Sequence, residues 1–130
     1  MNHPDPWYIA GIGAIGTLLA TFLSQTSELI LLLKNKQSLA SYEASTFLKV
    51  RRGNCTFTAH PRALPIDTLD TLKIRRLICT AKAHDVLPIL KQLADYLDKS
   101  STIILIHNGV GVLEEIKDQL PKLRIISCIT

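Results

Sequence analysis

A short apolar run, Trp7-Tyr8-Ile9-Ala10, passes directly into Gly11-Ile12-Gly13-Ala14-Ile15-Gly16, after which Leu18, Leu19, Phe22 and Leu23 recur at helical spacing. Three glycines spaced G-x-G-x-x-G between a strand and a helix restrict the backbone more than any other feature of the chain. The first allows a tight turn, the second lets the backbone approach a diphosphate, and the third lets the helix pack close to the strand. Small residues also serve tight helix packing alone, so the weight of the motif depends on the strand and helix around it.

The flanking sequence supplies that context. After a polar break at Gln25-Thr26-Ser27, Leu29 to Leu33 is continuously apolar, the pattern of a strand covered on both faces of a parallel sheet. A polar region from Lys34 to about Ser45 leads into Phe47 to Arg52, then Gly53-Asn54, then Cys55 to Thr58, which reads as a hairpin. His60 to Leu72, with two prolines, reads as a surface connection with a short helical turn near Asp67 to Leu72. Leu77 to Ala81 is a further covered strand. An apolar stripe of Val86, Leu87, Leu90, Leu93, Ala94 and Leu97 marks an amphipathic helix, with Pro88 assigned to its first turn. Ile103 to Ile106 is another strand, Val112 to Leu120 a helix closed by Pro121, and Leu123 to Ile129 a last strand. Strands alternating with helices predict an α/β fold of the Rossmann type: a doubly wound, mostly parallel sheet with helices on both faces.

At 130 residues the chain suits one packed domain, residues 1–130, and is too short for two. Its net charge of +4 fits a phosphate-bearing small ligand as well as nucleic acid. The basic residues are scattered, as in Lys34/Lys36, Arg51/Arg52 and Arg75/Arg76, and few aromatics are available for base stacking, so no nucleic-acid partner is expected. Cys55, Cys79 and Cys128 are odd in number and far apart, which suggests neither a disulfide framework nor a metal site and fits reduced thiols in a cytoplasmic protein. The apolar stretch from Trp7 to Leu23 is interrupted by glycines and too short for a membrane span, so no membrane partner is expected.

Candidate chemistry gathers at the carboxyl ends of the predicted strands, where open α/β sheets bind ligands. An NAD-binding domain would be expected to carry an Asp or Glu after its second strand, to bond the ribose hydroxyls. Here the residues are Lys34-Asn35-Lys36, and Glu28 lies at the opposite end of that strand. Lys34, helped by Lys36, can instead neutralise the 2′-phosphate of NADP(H), although solvated loop lysines are common. The same basic segment argues against adenosylmethionine, whose ribose usually calls for an acid there. With the hairpin counted as one, Lys82 follows the fourth strand, Leu77 to Ala81, and can hold a substrate carboxylate or a cofactor phosphate. Asn108 follows the fifth and can donate to a ketone oxygen or a ribose, though Asn108-Gly109 is also a standard turn pair. His84 and His107 read as structural.

Three blocks carry a resemblance: Gly11 to Gly16; Cys79-Thr80-Ala81-Lys82-Ala83-His84-Asp85; and Ile104-Leu105-Ile106-His107-Asn108-Gly109-Val110-Gly111. In order and spacing the chain resembles the ketopantoate reductase (2-dehydropantoate 2-reductase) family, and the third block is the most specific. The resemblance implies an N-terminal Rossmann domain that binds NADPH, with Gly11, Ile12, Gly13, Ala14, Ile15 and Gly16 at the diphosphate and Lys34 at the 2′-phosphate. The family usually has Arg there, so a bidentate contact becomes a point charge. Lys82 and Asn108 would face nicotinamide and substrate. The implied activity is reduction of ketopantoate or a similar 2-ketoacid in pantothenate biosynthesis. The family's second, helical domain, with a lysine general acid and a substrate-binding carboxylate, is absent from residues 1–130. The expectation is therefore a cofactor-binding half with little turnover of its own and no certain catalytic residue; the alternative is a truncated, non-catalytic NADP-binding module. An edge left uncovered at Thr130 would expose apolar surface, which allows a homodimer without specifying one.

Overall fold

A computed structural model describes residues 4–11, 13–44, 48–70, 73–107 and 111–129. Five successive aliphatic side chains cannot alternate between core and water, and β2 (Leu29–Leu33) is buried along its whole length. It pairs in parallel with β1 (Trp7–Ala10), which pairs on its other side with β6 (Arg76–Cys79). Beyond β6 lie β7 (Thr102–His107) and β8 (Arg124–Ile129), and beyond β2 lies β5 (Arg62–Pro65). The six strands run β5-β2-β1-β6-β7-β8, and every neighbouring pair is parallel.

Helices α1 (Ala14–Leu23) and α2 (Lys36–Ala44) accompany the chain as it winds from β1 towards β5; α3 (Ala83–Leu93) and α4 (Val112–Gln119) accompany it from β6 towards β8. Right-handed crossovers in opposite directions place the two sets on opposite faces. The core divides accordingly. Ile9, Leu31 and Ile78 pack with Ala20 of α1, whereas Tyr8, Leu77, Ile103 and Leu105 pack with Val86 and Leu90 of α3 and Ile116 of α4. The doubly wound expectation therefore holds, and the winding direction reverses between β1 and β6, the place where such sheets leave a crevice. The segment from Trp7 to Leu23 is a strand, a turn and a ten-residue helix. Among the described residues no helix is long and apolar enough to cross a membrane.

The expected hairpin is present as β3 (Leu48–Arg52) and β4 (Cys55–Ala59), with Arg52 opposite Cys55. Its two-residue loop has Gly53 at φ +60° in the first central position, where a type II′ turn needs a glycine. The hairpin is joined to α1 by Phe57 and Phe22, whose ring centroids are 5.0 Å apart. Ile126 on the outer strand β8 is half exposed, in keeping with an apolar edge.

Four details differ from expectation. The polar region after Leu33 contains α2, none of whose residues is buried, so apolar periodicity could not reveal it. Its start is marked instead by Asn35, whose Oδ1 accepts the Ser38 N–H at 2.8 Å. The connection from His60 to Leu72 contains β5, an edge strand that tolerates flanking prolines because only one side needs ladder donors. It is followed by a 3₁₀ turn at Ile66–Thr68, which overlaps the start of the expected helical turn, whose end, Thr71 and Leu72, lies outside the described residues. Because α3 begins at Ala83, Pro88 sits in its second turn rather than its first, on an exposed side where water can serve the His84 carbonyl. Finally, α3 stops at Leu93 and gives way to a 3₁₀ turn at Ala94–Tyr96 before the buried Leu97.

Held to the core by the partly buried Leu39 and Tyr42, α2 also draws on its cap. Asn35→Ala is expected to lower stability by about 1 kcal/mol, read as a lower urea midpoint at unchanged slope. A variant that keeps the parent midpoint would show that the cap contributes nothing.

Candidate functional site

The turn after β1 is built from groups that only glycine can accommodate. Gly11 has φ +97°, and a Cβ there would stand 2.7 Å from the Ala81 backbone nitrogen. A Cβ on Gly16 would collide with the Gly11 carbonyl oxygen and lie 2.7 Å from Thr80 Oγ1. These two glycines are required by the protein's own packing, since α1 could not otherwise sit against the end of β1.

Gly13 differs. Its φ of −95° and ψ of −158° are open to any residue, and a Cβ on it would meet nothing within 4 Å. Among the described residues no atom requires a glycine there. The space beside it is free for a ligand, the role that the second glycine of the motif has when a diphosphate comes close.

Gly13 is also the N-cap of α1, and it supplies no side-chain cap. The first turn of α1 carries no acidic residue. The helix therefore presents its N-terminal backbone donors and the positive end of its dipole without an internal counter-charge, the arrangement that receives anions.

A cleft of about 610 Å³ opens at the carboxyl ends of β1, β2 and β6 and includes Gly11 and Gly13 in its lining. Lys34, immediately after β2, and Lys82, the N-cap of α3 after β6, stand exposed on either side of the turn. The strands that lead to them, β2 and β6, flank β1 and are two strand spacings, about 10 Å, apart. Leu32, Leu33, Ile66 and Ile89 give the cleft an apolar lining, while Ser38, Thr80, Asp85 and Gln92 contribute polar groups.

The expected site residues thus divide into groups. Gly11, Gly13, Lys34 and Lys82 line one cleft; Ala14, Ile15 and Gly16 form the first turn of α1 beside it, Gly16 buried and the other two exposed. Ile12 and Asn108 lie outside the described residues. Lys36, expected to help Lys34, is exposed as the first residue of α2 and does not line the cleft. Glu28 is at the amino end of β2, where its carbonyl accepts the Trp7 N–H.

His84 is exposed at the start of α3, its Nε2 3.5 Å from Asp85 Oδ2. His107 is buried on β7 and its Nε2 lies 3.1 Å from Ser127 Oγ on β8, while its Nδ1 has no partner among the described residues. Burial holds the Cys79 thiol above its ordinary range, which leaves it inert in the core. Ser38 and Thr80 were not singled out as site residues from the sequence. The Asn35-x-x-Ser38 helix start was the available signal for the first, and only the tertiary contact with Gly11 reveals the second.

The two kinds of glycine should separate in stability measurements. Gly16→Ala is expected to lose about 1–3 kcal/mol through overpacking, whereas Gly13→Ala should stay within about 0.5 kcal/mol of the parent. Equal losses in chemical denaturation would show that Gly13 too is held by internal packing.

Comparison with known proteins gives the family and the fold. A family model described as ketopantoate reductase PanE/ApbA matches residues 7–130. The 2-dehydropantoate 2-reductase of Saccharomyces cerevisiae is 27% identical over an alignment of 127 residues that covers 91% of this chain and 34% of that protein. A probable 2-dehydropantoate 2-reductase of Schizosaccharomyces pombe is 32% identical over an alignment of 126 residues that covers 87% of this chain and 35% of that protein. The chain thus spans about a third of the length of these curated relatives. Among solved structures, D-mandelate dehydrogenase with NADH and anilino(oxo)acetate superposes with a TM-score of 0.81 at 17% identity, over 96% of this chain and 40% of the other. The probable 2-dehydropantoate 2-reductase panE of Bacillus subtilis superposes with a TM-score of 0.75 at 22% identity, over 97% and 41%. At these identities the superpositions establish the fold, whereas the family model runs from the start of β1 through β8, and on that match the chain belongs to the ketopantoate reductase PanE/ApbA family.

Proposed function

We propose that residues 1–130 form the NADPH-binding part of a reductase that converts 2-dehydropantoate, or a similar branched 2-ketoacid, to its 2-hydroxy acid in the formation of pantothenate. The observation that carries the reading is Gly13: it is open where no atom of the described residues needs a glycine, at the uncapped N-terminus of α1, between two lysines. A dinucleotide fits the donor set. The turn and the first turn of α1 would hold the diphosphate, the apolar lining around Ile66 and Ile89 suits a flat base, and Lys34 would meet the 2′-phosphate.

When bound, NADPH supplies the hydride. Lys82 would hold the substrate carboxylate or a cofactor phosphate, and Asn108 would donate to the ketone oxygen. Reduction of a ketone also needs a proton for the developing alkoxide, and a positioned acid contributes about 10²- to 10⁴-fold. In this reading that acid lies outside residues 1–130, as does the helical domain, and the chain alone binds cofactor with little turnover. The activity for which both yeast relatives are named supports the reaction class.

Calorimetric titration with NADPH and with NADH tests the reading. NADPH is expected to bind more tightly, and Lys34→Ala to remove about ten- to hundredfold of its affinity while leaving NADH unchanged, as for loss of a charge-assisted hydrogen bond. Binding of neither nucleotide would overturn the reading, and an unaltered variant would remove Lys34 from it. With NADPH and ketopantoate the chain should turn over far below the roughly 1–10³ per second usual for enzymes; a rate in that range would contradict an external proton donor.

A further inference from the structure

We propose that Thr80 is a positioning residue for the diphosphate site, its hydroxyl holding the Gly11 carbonyl away from the side on which the anion arrives. This rests on the reading that the glycine turn binds NADP(H).

The end of β6 grips the end of β1 at two successive carbonyls. The Thr80 N–H donates to the Ala10 carbonyl at 2.9 Å, and Thr80 Oγ1 donates to the Gly11 carbonyl at 2.6 Å. The second bond spans the point where the chain leaves the sheet at φ +97° and lies beside the cleft that Gly11 and Thr80 both line.

The Gly11 carbonyl is drawn into the space that Gly16 leaves by having no side chain, so Gly16, Thr80 and Gly11 meet at one oxygen atom. The Ala81 backbone closes off movement of Gly11 on its other side. Glycine has no side chain to oppose rotation of its own carbonyl. Without the hydroxyl, that oxygen is free to turn towards the cleft, where its partial negative charge would face an incoming diphosphate in place of donors.

A partly buried neutral hydrogen bond of this kind also contributes to stability, so the test must separate positioning from folding. Valine reproduces the shape of threonine without a donor, alanine removes the donor without added bulk, and serine keeps the donor. Dissociation constants for NADPH and for 2′-AMP, which has the 2′-phosphate and no diphosphate, are measured on the 130-residue chain and on Thr80→Val, Thr80→Ala and Thr80→Ser. Each is assayed below its own thermal transition.

Thr80→Val and Thr80→Ala are expected to weaken NADPH about tenfold, Thr80→Ser by no more than about twofold, and 2′-AMP should bind all four alike. Parent-like NADPH affinity in either donor-free variant, a serine variant as weak as alanine, or equal losses for 2′-AMP and NADPH would overturn the proposal. If the parent chain binds no NADPH, the functional reading itself fails and this proposal fails with it. Should Thr80→Val not fold, the alanine and serine pair decides the question.

Discussion

The site depends on a single close approach: the Gly11 carbonyl reaches into the place where Gly16 has no Cβ, with Thr80 Oγ1 2.6 Å away. Any side chain at Gly16 would push α1 away from β1. Its N-terminus would then no longer follow directly from the strand, and the crevice between β1 and β6 would lose its anion-facing wall. Packing and binding are therefore coupled through two glycines, while Gly13 is left over for the ligand.

Electrostatics works in the same direction. The first turn of α1 has neither a side-chain cap nor an acid to neutralise its dipole, an arrangement that usually weakens a helix. The sheet compensates by burying Gly16, Ala20 and Thr21 of α1, and the hairpin adds Phe57 against Phe22. By contrast α2, which has no fully buried residue, has its Asn35 cap. The uncapped helix is the one whose N-terminus faces the cleft, and the two flanking cations, Lys34 and Lys82, extend that positive potential along the strand ends.

Much of this was legible in the sequence because burial on both faces of a parallel sheet writes continuous aliphatic runs, as at Leu29–Leu33, and because glycine spacing reports backbone geometry directly. The same logic put Lys34 directly after β2 and Lys82 after β6, although β6 stops at Cys79 rather than Ala81 and Lys82 is the N-cap of α3. What it missed follows from what periodicity measures. Helix α2 has no apolar stripe, β5 lies at an edge between prolines, and Pro88 looked like a first-turn residue because the start of α3 at Ala83 carries no apolar signal. The part played by Thr80 depends on a contact between residues 69 positions apart, which no local pattern encodes. Asn108, on which the family resemblance leans most heavily for substrate contact, lies outside the described residues.

Amide chemical-shift mapping of the isotope-labelled chain during titration with NADP⁺ tests the central claim most directly, because it reads location without presuming activity. The expected result is a set of shifts confined to the carboxyl ends of the strands: Gly11, Gly13 and the first turn of α1, Lys34 to Ser38, and Thr80 to Asp85. Saturable shifts centred instead on the opposite ends of the strands, around Asp98 to Ser101 and Lys122 to Leu123, would contradict a dinucleotide site at the glycine turn.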